Sequence, residues 1–97
     1  MPPVAVLWSA QAADDLQEIH DYIARQSPRY AAVVAGRLVA AVDRVREFPE
    51  SGRIVPELND PAVREVIHGA YRIVYELQPD VAVVLTVFRA SRAFPLD

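Results

Sequence analysis

The sequence contains no cysteine and no lysine. Without cysteine, disulfides and thiolate metal sites are excluded, and a reducing compartment suits the chain. All 10 basic residues are arginine, and the chain has 13 acidic residues, so the formal net charge is −3. Proteins that bind nucleic acid mainly through phosphates usually carry a strong positive excess. We therefore expect no whole-surface or sequence-specific DNA binding by this chain, although a local arginine patch stays open.

Long hydrophobic runs are also missing. The longest apolar run, Val81 to Phe88, is too short to span a bilayer. The opening Met-Pro-Pro-Val lacks the basic segment of a signal peptide. The length of 97 residues suits one domain, residues 1–97, and a hydrophobic content of 53% favours a packed core. We expect a soluble cytoplasmic protein without a membrane partner.

Two serine residues mark the starts of two predicted helices. Ser9 is a typical N-cap, and the apolar residues that follow it are spaced for a helix from Ala10 to about Gln26. Ser27-Pro28 places serine at the N-cap and proline in the first turn of a second helix, which is predicted to reach about Glu47. Because the connection is so short, the two helices should form an antiparallel hairpin.

Strand patterns flank the two helices. Gly69-Ala70 and Pro79-Asp80 are predicted turns between strands. Gly52 and Gly69 are both expected to adopt positive φ. The last strand is apolar on both faces apart from Thr86, which predicts a position inside the sheet. The predicted strands are Val4–Trp8, Val63–His68, Tyr71–Gln78 and Val81–Phe88, with a loop at 49–62.

The element order β-α-α-β-β-β predicts the α+β fold class. Three consecutive strands with tight turns form an antiparallel sheet, and one face of it is the surface on which the helix hairpin can bury its apolar stripes. Tyr71 and Tyr75 share a strand face with Ile73, which favours core packing over chemistry. Trp8 is expected at the edge of the core.

Five segments of the chain carry a family resemblance. They are Trp8-Ser9 with Ala12, Asp15-Leu16, Ile19 and Tyr22-Ile23; Ser27-Pro28; Phe48-Pro49-Glu50-Ser51-Gly52-Arg53 with Val55-Pro56-Glu57-Leu58; Arg64-Glu65 with Tyr71-Arg72-Ile73-Val74-Tyr75; and Val84-Leu85-Thr86-Val87-Phe88 ending near Arg92. In this order the segments resemble the RelE/ParE toxin superfamily over almost the whole chain, with a pattern closer to the ParE-like branch.

The resemblance implies a toxin of a type II toxin–antitoxin system, of the plasmid-stabilisation kind. A cognate ParD-like antitoxin would hold it silent in a hetero-oligomer, and no cofactor or metal is implied. ParE-like members poison DNA gyrase and have no established catalytic residues. RelE-like members enter the ribosomal A site and cleave mRNA.

The residues at the end of the last strand favour the first activity. RNA cleavage without a metal needs a base, an acid and cations around the phosphate. RelE-like enzymes resemble one another in supplying lysines and arginines, often with a histidine or tyrosine near the last strand. This chain has Phe88-Arg89-Ala90-Ser91-Arg92 there and no lysine. Gyrase inhibition by protein–protein contact is therefore predicted. The alternatives are an endoribonuclease with Glu65 or His68 as base, and a binding protein of little toxicity.

Candidate contact residues follow from these expectations. Arginines on the loop and sheet are the candidates for target binding: Arg53, Arg64, Arg72, Arg89 and Arg92. Arg64-Glu65 also suits cross-strand ion pairs at a surface. Small residues on the helices would let an antitoxin helix approach closely: Ala24, Ala31, Ala32, Ala35 and Gly36. The acidic cluster of Asp14, Glu18 and Asp21 is interpreted as a solvated helix face, not as a metal site.

Overall fold

The structure, a computed structural model, describes residues 3–96. Met1, Pro2 and Asp97 belong to the predicted domain 1–97 but lie outside the described residues. The elements in chain order are β1 (Ala5–Trp8), α1 (Ala10–Ala24), α2 (Pro28–Asp43), a 3-10 turn (Arg44–Arg46), β2 (Arg53–Ile54), β3 (Val63–His68), β4 (Tyr71–Gln78) and β5 (Val81–Arg89). Within the described part, no helix is both long enough and apolar enough to cross a membrane.

Both helices begin at the predicted serine caps. The Ser9 hydroxyl accepts a hydrogen bond from the Ala12 amide at 3.0 Å, and the Ser27 hydroxyl accepts one from the Tyr30 amide at 3.1 Å. These bonds satisfy amides that have no partner inside the helix. The predicted end of the second helix at Glu47 is wrong, because the chain tightens into the 3-10 turn after Asp43. Such turns are common at helix ends.

The five strands form one mixed sheet in the order β1-β5-β4-β3-β2. The predicted antiparallel meander of β3, β4 and β5 is confirmed, and so is the interior position of β5. β1 pairs with β5 in parallel, from Ala5 opposite Val81 to Trp8 opposite Val84. The short strand β2 lies in the segment predicted to be a loop, where two residues are too few to produce a strand pattern.

Two apolar clusters lie on opposite faces of the sheet. The larger one joins the helices to the sheet through residues such as Leu38, Ile73 and Val84. Because successive strand residues point to opposite faces, Val74 faces away from the helices. It packs there in a second cluster with Val55, Val63 and Phe88, covered by Leu58, Leu85, Phe94 and Leu96. The helix hairpin therefore covers one face, and a thinner layer of loop and C-terminal segment covers the other.

An irregularity in β5 adjusts which side chains reach the helices. Val74 pairs with Thr86 but Tyr75 pairs with Val84, so Leu85 is an extra residue in β5. An extra residue of this kind is a β-bulge. The bulge allows Val84 and Val87, three residues apart, both to pack in the helix-facing cluster. The predicted core packing of Tyr75 is confirmed, since the residue is fully buried.

The two predicted glycine turns differ. Gly69 has a φ of +57°, as predicted. The expectation of positive φ at Gly52 is wrong, because among residues 3–96 the only glycine with positive φ is Gly69. At Gly52 the requirement is space: a Cβ there would lie 2.5 Å from the Tyr75 hydroxyl and 2.7 Å from the Glu65 carbonyl oxygen. Gly52 therefore allows the loop to approach the sheet closely.

Candidate functional site

A groove of about 990 Å³ lies between α1, the end of β5 and the C-terminal segment. Its walls carry three arginines, three carboxylates and two tyrosines. The apolar part of the surface includes Ile19, Val87 and Leu96. The charged and aromatic residues are Asp15, Glu18, Asp21, Tyr22, Arg25, Tyr71, Arg89 and Arg92.

Asp15 fixes α1 to the exposed edge of β5 in this groove. β1 accompanies β5 only as far as Val84, and beyond that point Asp15 takes the place of a neighbouring strand. Its carboxylate accepts hydrogen bonds from the Thr86 hydroxyl at 2.6 Å and from the Val87 amide at 3.1 Å. Hydrogen bonds to an ionised acceptor are stronger than neutral ones. The wall formed by α1 and the wall formed by β5 are therefore held together.

Two of the predicted arginines lie on the rim of the groove. Arg89 and Arg92 are exposed and make no salt bridge with any residue in the range 3–96. The Arg89 guanidinium lies 5.7 Å from the centre of the Tyr71 ring, and that of Arg25 lies 5.6 Å from the centre of the Tyr22 ring. Stacking of this kind orients a guanidinium while leaving its N–H groups free. The rim thus presents cations that a partner can contact.

Arg72 is sequestered instead. It is 8% exposed, and its Nε donates to Glu65 at 2.6 Å while its two terminal nitrogens donate to Glu57 at 2.8 and 2.7 Å. The guanidinium also lies 5.2 Å from the Phe88 ring centre and 5.3 Å from that of Phe94. Arg72 therefore holds the loop and the C-terminal segment on the sheet, and it is removed from the candidate target contacts.

Glu65 is the buried centre of this network. Its second carboxylate oxygen accepts from Arg53 Nε at 2.5 Å, and its side chain has no exposed surface. The predicted cross-strand ion pairs do form at Glu65, with Arg53 of β2 and Arg72 of β4, but Glu65 is buried and not at the surface. Arg64 forms no salt bridge within residues 3–96. The hydrogen bonds from Arg72 lower the pKa of Glu57 to about 2, and those from Glu57 and Glu65 raise the pKa of Arg72. The Glu57 carboxylate is thus held in the charged form.

Arg64 fastens the loop from the other side. Its Nε donates to the Pro61 carbonyl at 3.0 Å, and its Nη1 donates to the carbonyls of Glu50 and Gly52, both at 3.1 Å. Its guanidinium is thus engaged by backbone, whereas Arg53 keeps an exposed side chain beside Glu65. The five predicted arginines therefore do not form one cluster. Only Arg89 and Arg92 meet in the groove, where Arg25, which was not predicted, joins them.

All five predicted antitoxin contacts lie on the helix hairpin, and all but one of them are at least partly exposed. Ala31 is fully buried in the core, so it is not part of the outer surface. Ala24 is half-buried at the end of α1, and Ala32 and Gly36 are exposed on α2. Ala35 lines a shallow apolar depression of about 390 Å³. We call this depression the hairpin trench, lined by Trp8, Ala13, Leu16, Gln17, His20, Ala35 and Val39.

Some important residues were not found by sequence reasoning. Asp15 lies next to the apolar stripe of α1. A carboxylate at the edge of a buried helix face can indicate a hydrogen bond to the neighbouring sheet, and this was the signal available in the sequence. Nothing near Glu57 indicates its bond to Arg72, because the two residues are brought together only by the path of the loop. Among residues 3–96, no three His, Asp or Glu side chains are grouped to hold a metal ion.

The sequence matches a family described as the ParE toxin of the type II toxin–antitoxin system parDE, over residues 6–94. The putative toxin Y4kP of Sinorhizobium fredii is 35% identical over 92 residues, covering 93% of this chain and 92% of the relative. Toxin RelE2 of Caulobacter vibrioides is 34% identical over 88 residues, covering 90% of this chain and 96% of the relative.

Solved structures share the fold. One is the chromosomal ParDE toxin–antitoxin system from P. aeruginosa, with a TM-score of 0.73, 21% identity and coverage of 89% of this chain and 95% of that one. Another is the toxin–antitoxin complex RelBE2 from Mycobacterium tuberculosis, with a TM-score of 0.60, 21% identity and coverage of 90% and 98%. The chain therefore belongs to the family of ParE toxins of type II toxin–antitoxin systems, which confirms the resemblance to the RelE/ParE superfamily.

Proposed function

We propose that this ParE-family toxin inhibits DNA gyrase by protein–protein contact through the groove beside α1, and that a ParD-like antitoxin silences it by binding the helix hairpin. The observation that carries the first part is the rim of the groove. Arg89 and Arg92 are exposed there and form no ion pairs within residues 3–96. Below them, the hydrogen bond between Thr86 and Asp15 holds α1 to β5. Arg89 and Arg92 are the predicted arginines whose charge is most available to a partner.

The charge balance of the groove suits a protein surface better than RNA. Three arginines face three carboxylates, so a polyphosphate chain would meet no local positive excess. Phosphate binding depends on such an excess. A protein target can instead complement both signs. Arginine and tyrosine are also the residue types that contribute most to binding energy at protein interfaces.

The two predicted bases for RNA cleavage give that alternative little support. Glu65 has no exposed surface and both of its oxygens are occupied by arginine. It cannot reach a ribose hydroxyl without breaking the buried network. His68 lies at the end of β3 opposite Tyr71 and does not line the groove. A general base must come within hydrogen-bond reach of the proton that it removes.

The outer surface of α2 suits an antitoxin helix. Ala32 and Gly36 are exposed, and a Cβ at Gly36 would have nothing within 4 Å. Small side chains let a second helix approach, and the nearby Val33 and Val39 are exposed hydrophobic residues that such a helix would cover. The structural relatives from P. aeruginosa and M. tuberculosis are toxin–antitoxin systems, which supports the same kind of hetero-oligomer here.

The test separates the two targets directly. Purified chain is added to gyrase supercoiling reactions and, in parallel, to ribosomes translating a defined mRNA. We expect inhibition of gyrase, with intact mRNA. Replacing Arg89 and Arg92 together by glutamate should weaken inhibition by about tenfold or more, as for hot-spot arginines. The control is Arg44→Glu, an exposed residue of the 3-10 turn that does not line the groove.

Cells provide an independent check. After induced expression without antitoxin, thymidine incorporation should fall before methionine incorporation, and the cells should form filaments. Ribosome-dependent cleavage of mRNA, or a loss of methionine incorporation within minutes, would contradict the gyrase proposal and establish the endoribonuclease alternative. If the Arg89 and Arg92 double variant inhibited gyrase as strongly as the Arg44→Glu control, the groove would not be the contact surface.

A further inference from the structure

β5 loses its neighbouring strand before it ends. β1 accompanies β5 only as far as Val84, and β5 continues beyond that point along the groove. Where β1 stops, the Leu85 carbonyl accepts a hydrogen bond from the Ser9 hydroxyl at 3.1 Å. The Val87 amide then donates to the Asp15 carboxylate at 3.1 Å. Side chains therefore satisfy the first part of this edge, and the last part of the strand lies beyond them.

Two backbone groups near the end of β5 face the groove. The Ala90 amide donates to the Ala70 carbonyl at 2.7 Å, on the β4 side, whereas the Val87 amide faces Asp15 on the opposite side. Because backbone groups alternate along a strand, the Val87 carbonyl and the Arg89 amide both point away from β4. Within residues 3–96, neither group is paired with another element. They form an acceptor and a donor for a further extended backbone.

The groove has room for such a backbone. Its volume of about 990 Å³ is at the upper end of the range of about 300–1,000 Å³ that is usual for ligand pockets. α1 flanks it from the helix-covered face of the sheet, and the C-terminal segment, residues 92–96, flanks it from the opposite face. A segment inserted between these two flanks would have the edge of β5 as its neighbouring strand.

The charges around this edge suit a peptide. Arg89 is exposed, its guanidinium lies 5.7 Å from the centre of the Tyr71 ring, and it forms no salt bridge within residues 3–96. Glu18 of α1 is exposed in the same groove and has no salt bridge within that range either. A peptide can bring charges of both signs to these positions, whereas a phosphate backbone would place like charge against the carboxylate.

One residue of an added strand can use both open backbone groups. In parallel pairing, which β1 already follows with β5, that residue donates its N–H to the Val87 carbonyl and accepts from the Arg89 amide through its own carbonyl. The next residue of the added strand then lies beside Arg89, with its side chain on the same face of the sheet. An Asp or Glu at this position would supply a carboxylate for the exposed guanidinium.

We infer that the exposed end of β5 receives an extended segment of gyrase as an added parallel strand, with an Asp or Glu of that segment beside Arg89. In strand addition, main-chain hydrogen bonds supply affinity and side chains supply specificity. The inference rests on the proposed function, because it takes gyrase as the protein that enters the groove. No residue of α2 lines the groove, so this contact is separate from the proposed antitoxin surface.

Residue-resolved hydrogen exchange tests the added strand. The chain is measured alone and with an excess of gyrase, by mass spectrometry with electron-transfer fragmentation. The Arg89 amide should exchange fast in the free chain and about tenfold or more slowly with gyrase, as for an amide that gains a strand partner. The amides of Val87 and Ala90 are internal controls, since each already has an acceptor, and should change little. An Arg89 amide that exchanges equally fast in both states overturns the inference.

Photo-cross-linking identifies the segment of gyrase. p-Benzoylphenylalanine is placed at Ala93, an exposed residue that lines the groove, and in a control chain at Ala32, an exposed residue of α2 outside the groove. We expect the first chain to cross-link one segment of gyrase that contains an Asp or Glu, and the second to cross-link none. Cross-links from the first chain that spread over unrelated segments, or their absence while it still inhibits gyrase, would overturn the inference.

A synthetic peptide with the cross-linked sequence tests the acidic residue. The peptide should bind the chain and slow the exchange of the Arg89 amide. Changing its Asp or Glu to the corresponding amide should weaken binding by about tenfold for the native chain and for the control Arg44→Gln, but should have little effect for Arg89→Gln. If the peptide change and Arg89→Gln had independent, additive effects, the two side chains would not be in contact and the assigned position would be wrong.

The outcomes also separate this inference from the proposed function. If the chain does not inhibit gyrase, both fail. If gyrase is inhibited through Arg89 and Arg92 but the Arg89 amide stays fast, the groove contact stands and only the added strand fails. If that amide slows only with the antitoxin, or only as the concentration of the free chain rises, the edge pairs with the antitoxin or with a second copy, and the inference is overturned.

Discussion

The Tyr75 hydroxyl occupies the space that a side chain at residue 52 would need. It donates a hydrogen bond to the Pro49 carbonyl at 2.7 Å and accepts one from the Gly52 amide at 3.0 Å. Burial raises the pKa of Tyr75, so the hydroxyl keeps its proton and can go on donating. A fully buried tyrosine thus connects the loop after the helices to the centre of the sheet.

Substitution of Gly52 by alanine should destabilise the chain. The added Cβ would lie 2.7 Å from the Glu65 carbonyl oxygen, a backbone atom that cannot turn aside. We expect a loss of about 1–3 kcal/mol in the free energy of unfolding, typical of overpacking. Urea denaturation measures it. The control is Gly36→Ala in α2, where a Cβ meets nothing within 4 Å, and which should stabilise by about 0.5–1 kcal/mol. Equal stability of the two variants would contradict this account.

Replacing Tyr75 by phenylalanine should also destabilise. The change leaves the Gly52 amide and the Pro49 carbonyl without their partner in a buried site. An unsatisfied buried polar group costs about 1–3 kcal/mol. Tyr71→Phe is the matched control, since Tyr71 is half-buried and its hydroxyl makes no hydrogen bond within residues 3–96. Urea denaturation of both variants should show a loss for Tyr75→Phe alone.

The Glu57–Arg72 contact should make stability depend on acid pH. Folding lowers the pKa of Glu57 from 4.5 to about 2. A depressed pKa means that the stabilisation is fully present above pH 4.5 and is lost as the pH falls toward about 2. The difference in unfolding free energy between the native chain and Glu57→Gln should therefore shrink over this window. Denaturation series between pH 6 and 2 measure it.

The control for that series is Glu47→Gln, which removes a carboxylate that forms no salt bridge within residues 3–96. Its difference from the native chain should stay small at every pH. If Glu57→Gln followed the same course as Glu47→Gln, the contact with Arg72 would contribute nothing to stability. Added salt should reduce the effect of Glu57→Gln, since the carboxylate is partly exposed.

Asp15→Ala should loosen α1 from β5. The Thr86 hydroxyl and the Val87 amide would lose their acceptor in a partly buried site. We expect a loss of about 1–3 kcal/mol in unfolding free energy and faster amide exchange at Val87. Asp14→Ala, at the adjacent exposed position, is the control and should leave both quantities unchanged. Slow exchange at Val87 in the Asp15 variant would contradict the proposed role of the carboxylate.

Local signals predicted the parts of the fold that depend on neighbouring residues. Serine caps located the helix starts, and the bounds of β3 and β4 follow from alternation between two short turns. β2 was not predicted, because its pairing with β3 depends on a loop path that no local pattern encodes. For the same reason five arginines of equal appearance divided into different roles. Arg72 contacts Glu57 from the loop and Glu65 from β3, whereas Arg89 forms no salt bridge within residues 3–96.

The pairing of β1 with β5 also determines when the full sheet can form during synthesis. Residues 5–8 are made well before residues 81–84, the strand residues with which they pair. During synthesis the first strand therefore has no neighbour, and the groove lacks the wall that β5 provides. Contacts of such high sequence separation slow folding, because the long loop must close before they form. We expect the groove, and contacts made through it, to form only after residues 81–89 have been synthesised.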